Sequence, residues 1–419
     1  MGTPVNTGLG GRARAALRPF LAGGVVRRMY LATFVDAVGL GVYLAMAALY
    51  LTQSIGLGNT AVGLTLSLAG IASLAGLVPI GAMGDRWGSR RVLVALFLYR
   101  SLAFAGLLLA DSLVTALAAV VAAGVVSRVT GPLTQALVLD VVDAHVSGVE
   151  ALAVARSLRN AGFALGAAPA AFAVALGTRD AYRVVLLMSV IAFALAAIVV
   201  SRVPNKPGGR KKKHRAWGVV RDRRFMMLTI ANGMLTLHAL VLAIGFPLWL
   251  VQHTQAPRWL AALLLTVNTI MSVLFQVRFS RGSEQLITSR RMLVASGVLL
   301  ALVCMSVPLV QNLSAPLAGG CFLILVGMLT VGELWQSAGS WGYTVRLAPD
   351  HQRGSYLAFL SLGFTVVTIV GPSLITAMVN LDRLGWLVLA GWFLVASLIV
   401  CTLPTTLARG SDFFSDRAP

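Results

Sequence analysis

Charge is scarce in this sequence, and negative charge is scarcest. Of 419 residues only 14 are Asp or Glu against 34 Lys or Arg, and charged residues together make up 11%. Ordinary soluble domains carry about 25%, so this chain cannot cover a water-facing surface. Cysteine is nearly absent: Cys304, Cys321 and Cys401 all fall within apolar stretches, which excludes a disulfide framework or a zinc site. No glycine-rich loop ends in Lys-Ser or Lys-Thr, so an ATP-driven pump has no phosphate cradle. AGSWG at 338–342 nearly matches the G-x-S-x-G of hydrolases, but Ala338 breaks the pattern and no strand-turn-helix context surrounds it. No stretch is long enough for the large extramembrane domain of a receptor or scaffold, and no cleavable signal precedes the first apolar run. Neither an enzyme nor a cofactor is expected.

What the chain has in excess is apolar length. Hydrophobic residues make up 58%, and runs of roughly 20 residues, enough to cross a hydrocarbon core as a helix, recur throughout. The predicted spans are 29–52, 59–80, 91–110, 113–141, 151–177, 181–202, 225–252, 258–278, 292–310, 315–344, 355–379 and 384–404. Continuous runs of this length do not suit barrel strands, so the expected fold is all-α and integral to the membrane.

The formal net charge of +20 falls in alternate loops, the pattern of topology determinants rather than of a nucleic-acid surface. Arg12, Arg14, Arg18, Arg27 and Arg28 precede the first span; Arg86, Arg90 and Arg91 follow the second; Arg278, Arg281, Arg290 and Arg291 surround the eighth-to-ninth connection. The most basic stretch, PNKPGGRKKKHRAWGVVRDRR, joins the sixth span to the seventh, while the opposite side holds only Arg179, Arg183, Arg258 and Arg383. Both termini are therefore expected in the cytoplasm of a plasma-membrane protein. The basic linker reads as a solvated tether, with contact to anionic lipid heads as the lesser alternative.

The chain also repeats itself. SRRVLVA at 89–95 returns as SRRMLVA at 289–295, and Asp36 with His238, Arg128 with Glu333, and Pro169 with Pro372 pair at nearly the same offset. The expected organisation is a tail (1–28), a six-helix half (29–202), a basic linker (203–224), a second six-helix half (225–404) and a tail (405–419).

One short segment carries more than topology. GAMGDRWGSRR at 81–91 sets an acid and three arginines among glycines between two apolar runs. In that position it resembles the signature loop of the major facilitator superfamily, G-x-x-x-D-R-x-G-R-R-x, matched here by Gly81, Asp85, Arg86, Gly88, Arg90 and Arg91. The resemblance covers essentially the whole chain and implies twelve helices that transport a small molecule by alternating access. It also implies that Asp85 latches the two halves on the cytoplasmic side, near Arg353 and Gly354, where a helix N-terminus favours a carboxylate. The degenerate second copy, VRFSRGSEQLITSRR, puts a matching latch there in doubt.

Ionisable groups deep in a span cost about 2.5–3.5 kcal/mol each and need a reason. The sequence places Asp36, Arg100, Arg128, His238 and Glu333 there. Helices 1, 4, 7 and 10, which line the cavity in the family resembled, carry four of the five, with proton coupling expected at Asp36 first and Glu333 second; Arg100 reads as structural. FVDAVGLGVYLAMAALYL, with Asp36, Gly39 and Gly41, is similar to the first helix of drug/proton antiporters, although the usual prolines are missing. RNAGFALGAAPAA resembles their fifth-helix motif through Gly162, Gly166 and Pro169; small residues one turn apart are equally explained by close helix packing. Glu333 opens a polar stripe with Gln336, Ser337 and Ser340, flanked by Trp335 and Trp341, a surface suited to amphipathic or cationic substrates. The alternative is that Glu333 and Arg128 neutralise one another. His238 reads as a proton shuttle or as a hydrogen-bonded packing residue.

The expected function is secondary transport of small organic molecules: proton-coupled efflux of hydrophobic or cationic compounds first, uptake of a small metabolite by symport or uniport second. The expected partners are substrate, protons and membrane lipids, with a proton gradient as driving force, no nucleic acid, and a monomer as working unit.

Overall fold

The computed structural model describes residues 24–142, 147–204, 218–349 and 352–403. Most of the expected tails and linker, at 1–23, 205–217 and 404–419, lies outside the described residues. Among the described residues the chain forms twelve membrane-length helices: α1 (Gly24–Ser54), α2 (Asn59–Trp87), α3 (Ser89–Leu108), α4 (Leu113–Val141), α5 (Gly148–Leu176), α6 (Arg179–Ser201), α7 (Arg223–His253), α8 (Leu260–Ser280), α9 (Leu286–Val310), α10 (Ala315–Leu347), α11 (Arg353–Asn380) and α12 (Asp382–Cys401). Eleven are long and apolar enough to cross a membrane. The twelfth, α5, is 29 residues long but is made less apolar by Glu150, Arg156 and Arg159.

Most helices run past at least one end expected from hydropathy, because polar residues can continue a helix beyond the hydrocarbon, although α3 and α12 stop short at the other. The segment 81–91 shows this best. It is not a loop: α2 continues through Asp85 to Trp87 and α3 begins at Ser89, leaving Gly88 alone between them at φ 92°. A side chain would be strained in that conformation.

Three helices depart from regular α geometry where polar residues sit. The ladder of α4 breaks at Arg128 and Val129, because Pro132 has no N–H to return to the Arg128 carbonyl. In α7, His238 lies just before a π-helical turn at Val241–Gly245, with Pro247 in the next turn, and α1 ends in a π turn at Tyr50–Ser54. Such local widenings are common at functional positions.

The helices pack in two groups. In the first, α1 lies against α5 and α6, α3 against α6, and α2 against α4; in the second, α9 lies against α10 and α12, α8 against α10, and α7 against α11 and α12. The cores divide accordingly: one cluster, around Phe225, Trp249, Phe322 and Trp386, belongs almost wholly to α7–α12, and two others to α1–α6. Between the groups, α2 and α4 meet α11, and α5 meets α8 and α10. Exposed apolar side chains such as Leu102, Leu109, Phe172, Leu274, Ile324 and Leu398 ring the outside, as lipid contact requires.

The sequence repeat has a structural counterpart. Arg90 at the start of α3 donates to the Ser201 carbonyl at the end of α6, and Arg290, 200 residues on, donates to the Cys401 carbonyl at the end of α12. Arginine there meets the negative end of a helix dipole.

Candidate functional site

The polar interior forms a layer at one depth. Asp36, Arg128, His238, Glu333 and Thr368 lie twelve to fifteen residues from the ends of α1, α4, α7, α10 and α11 on the arginine-rich face. At 1.5 Å per residue that is roughly 18–22 Å, deep within the bundle.

Glu333 stands at the centre of a network drawn from four helices. Its Oε1 accepts 2.7 Å from Arg156 Nη2 of α5, and its Oε2 accepts 2.9 Å from Asn268 Nδ2 of α8. Asn268 also donates to Thr330 (3.0 Å), and Arg156 Nη1 donates to Ser337 (2.7 Å). The Arg156 guanidinium lies over the Trp341 ring at 5.8 Å. Behind the carboxylate, His238 Nε2 stands 3.9 Å from Oε2, while its Nδ1–H donates to the Leu235 carbonyl at 2.8 Å. In the neutral ring that bond places the proton on Nδ1 and leaves Nε2 bare toward Glu333. One turn along α10, Gln336 donates to Asn232 of α7. Glu333, Gln336 and His238 are buried, whereas the Arg156 side chain keeps 31% exposure and therefore borders accessible space.

Asp36 belongs to a second, closed arrangement. Its Oδ1 accepts 2.9 Å from Arg100 Nη1 of α3, and the two side chains are 5% and 1% exposed. The remaining Arg100 nitrogens have no hydrogen-bond partner, and the guanidinium stacks on Phe193 at 4.0 Å. Arg100 is thus the direct partner of Asp36 rather than an isolated peripheral charge. The suggested Glu333–Arg128 pair does not form: Arg156 holds Glu333, and Arg128 donates to Thr368 at 3.1 Å with Phe364 at 5.4 Å. Both deep carboxylates, Asp36 and Glu333, are thus paired with arginine.

The segment at 81–91 meets α11. Asp85 Oδ1 accepts 2.8 Å from the Gly354 N–H, and Oδ2 accepts 2.9 Å from the Ser355 N–H and also takes the Ser355 hydroxyl. A Cβ on Gly81 would stand 2.7 Å from Ala358 Cβ, so its lack of a side chain permits this approach. Arg86 and Arg91 are exposed, and Arg90 binds α6 as described above. Arg353 reaches Asp140 of α4 at 3.6 Å. In the second copy Glu284 is exposed and its carbonyl accepts from Arg346 of α10, a contact within α7–α12. Every hydrogen bond or ion pair described between the two helix groups lies at the depth of Glu333 and Thr368 or nearer the arginine-rich face.

Gly162 and Gly166 of α5 bring α1 to backbone contact: a Cβ on Gly162 would lie 2.7 Å from the Phe34 carbonyl oxygen, and one on Gly166 would overlap that of Val38. Pro169 lies one turn further along α5. Sequence reasoning missed Arg156 and Arg159. Their spacing, ARSLRN, sets two cations on one helical face, a signal hidden because the surrounding alanines and glycines read simply as span.

The chain matches the Major Facilitator Superfamily model over residues 29–341. It is 26% identical to the uncharacterized MFS-type transporter Rv0849 of Mycobacterium tuberculosis (strain ATCC 25618 / H37Rv), covering 86% of this chain and 90% of that one. Among solved structures it resembles a bacterial homologue of the iron transporter ferroportin in an outward-facing state (TM-score 0.72, 16% identity, 91% and 99% coverage). It also resembles the proton:xylose symporter XylE (TM-score 0.68, 14% identity, 94% and 97% coverage). At these identities the two structures speak to fold alone. With its all-helical membrane fold and this family match, the chain belongs to the Major Facilitator Superfamily, whose members are secondary transporters and not enzymes.

Proposed function

We propose that this transporter couples the movement of a small organic molecule to protons, with Glu333 as the proton-carrying group and alternating access between the two helix groups as the mechanism. The observation that carries the reading is the Glu333–Arg156 bridge, a buried carboxylate of α10 held by an arginine of α5 that borders accessible space. A proton on Glu333 removes its charge, reduces its hold on Arg156 and loosens the tie between the groups. His238, whose Nε2 stands 3.9 Å from the carboxylate, would pass that proton in its neutral form. The arginine-rich face is the cytoplasmic one by the charge rule for loops, so the ties concentrated toward it correspond to an outward-facing state of a plasma-membrane monomer.

Two directions of coupling follow from different observations. The bridge favours co-transport, because a proton on Glu333 releases Arg156 to donate to a substrate, so that each favours binding of the other. The likeness of α1 and α5 to drug/proton antiporters, through Asp36, Gly39, Gly41, Gly162, Gly166 and Pro169, favours exchange and hence efflux. The geometry supports co-transport best. Sealed vesicles of known orientation decide: under an inward proton gradient, co-transport draws substrate in with protons, whereas exchange drives it out. Substrate movement indifferent to the gradient would sink both.

A further inference from the structure

Four arginines and only two carboxylates lie deep in the described bundle. Asp36 is taken by Arg100 and Glu333 by Arg156, with no charge counted on His238. Arg128 and Arg159 remain without an ion pair among the described residues, leaving an excess of two positive charges. An unpaired cation in a span is costly, and these two repel one another across α4 and α5. Arg159 is within electrostatic reach of Asp36, which attracts it but is already bonded to Arg100, and of Arg156, which repels it.

Apart from Asp36, the surroundings hold these charges in place rather than neutralising them. Arg159 Nη1 lies 2.9 Å from where a Cβ on Gly131 would stand, one turn of α4 beyond Arg128, so the bare backbone of Gly131 makes room for the guanidinium. Apolar rings flank both cations: Phe163 at 5.2 Å from Arg159, and Phe364 at 5.4 Å from Arg128. Arg128 has one neutral partner, the Thr368 hydroxyl. Both side chains are half-buried, at the depth of Glu333, where the helix groups meet.

We propose that this site takes a small organic anion, whose acid group lies between the Arg128 and Arg159 guanidinium groups and whose apolar body lies against Phe163 and Phe364. A planar guanidinium fork matches a carboxylate, sulfonate or phosphate oxygen pair, and an anion there offsets the excess positive charge. This replaces the cationic substrate expected from Glu333 alone. The inference rests on the reading of the interior as a transport path, but it is separable from proton coupling because binding is measured without any gradient.

Three ligands of one shape test it on the purified full-length chain by titration calorimetry: 2-naphthoate, 2-naphthamide and 2-naphthylmethylammonium. The anion should bind at least about ten-fold more tightly than the neutral amide, as charge-assisted hydrogen bonds imply, and the cation most weakly. Arg128→Gln and Arg159→Gln should each remove that preference, while Arg258→Gln on the far face leaves it intact. Glu333→Gln should tighten naphthoate binding, because it frees Arg156 and adds to the positive excess. That last outcome separates the proposal from loss of folded protein, which weakens binding of every ligand. No preference for the anion, an anion preference that survives both arginine substitutions, or weaker naphthoate binding in folded Glu333→Gln would overturn it.

Discussion

Asp85 on α2 accepts a 2.8 Å hydrogen bond from the backbone N–H of Gly354, 269 residues later at the start of α11. With the two donors of Ser355 it caps the first turn of a helix from the other group. The carboxylate meets both free N–H groups and the positive end of the helix dipole. Asparagine keeps the shape but offers one acceptor oxygen, so one backbone N–H would face an amide NH2 instead. Asp85→Asn should shift the balance toward the form open on the arginine-rich face by about 1–3 kcal/mol, the weight of a charge-assisted bond lost. Cysteine labelling from each side reads that shift, together with slower transport and undiminished folded protein. Unchanged labelling would make the segment only a turn.

The Asp36–Arg100 pair bears on which acid carries protons. Removing one partner of a buried pair strands the other, at a cost of roughly 3–5 kcal/mol. Asp36→Asn should therefore lower the thermal stability of the purified protein steeply, and adding Arg100→Leu should restore most of it. If Asp36→Asn instead stays as stable as wild type and loses only gradient-driven accumulation, Asp36 would be the coupling acid.

Topology has a direct check. Cysteines at Gly56 and Asn312 should react with an impermeant reagent from outside the cell, and cysteines at Lys212 and Arg291 only after permeabilisation. External labelling at Lys212 would invert the assignment.

Apolar length and loop charge made the twelve helices legible, because a bilayer enforces both along the chain. Their ends were not: α2 runs through Asp85 to Trp87 because Gly88 alone makes the turn. The deep charges Asp36, Arg128, His238 and Glu333 were visible as polar residues in apolar runs. Their partners were not, since Arg156 meets Glu333 from 177 residues away and Arg100 meets Asp36 from 64, and periodicity within one helix carries no information about its neighbours. That is why the sequence offered Arg128 as the partner of Glu333 when the structure pairs it with Arg156.

The most direct measurement is concentrative uptake by Glu333→Gln in sealed, oriented vesicles under an imposed proton gradient, beside its substrate binding without one. Glutamine retains an acceptor for Arg156 but has no titratable proton to take up and release. The variant should bind substrate at least as well as wild type, equilibrate it across the membrane, and fail to accumulate it at any external pH. Accumulation by Glu333→Gln with wild-type dependence on external pH would contradict the assignment and leave the Glu333–Arg156 bridge a structural tie.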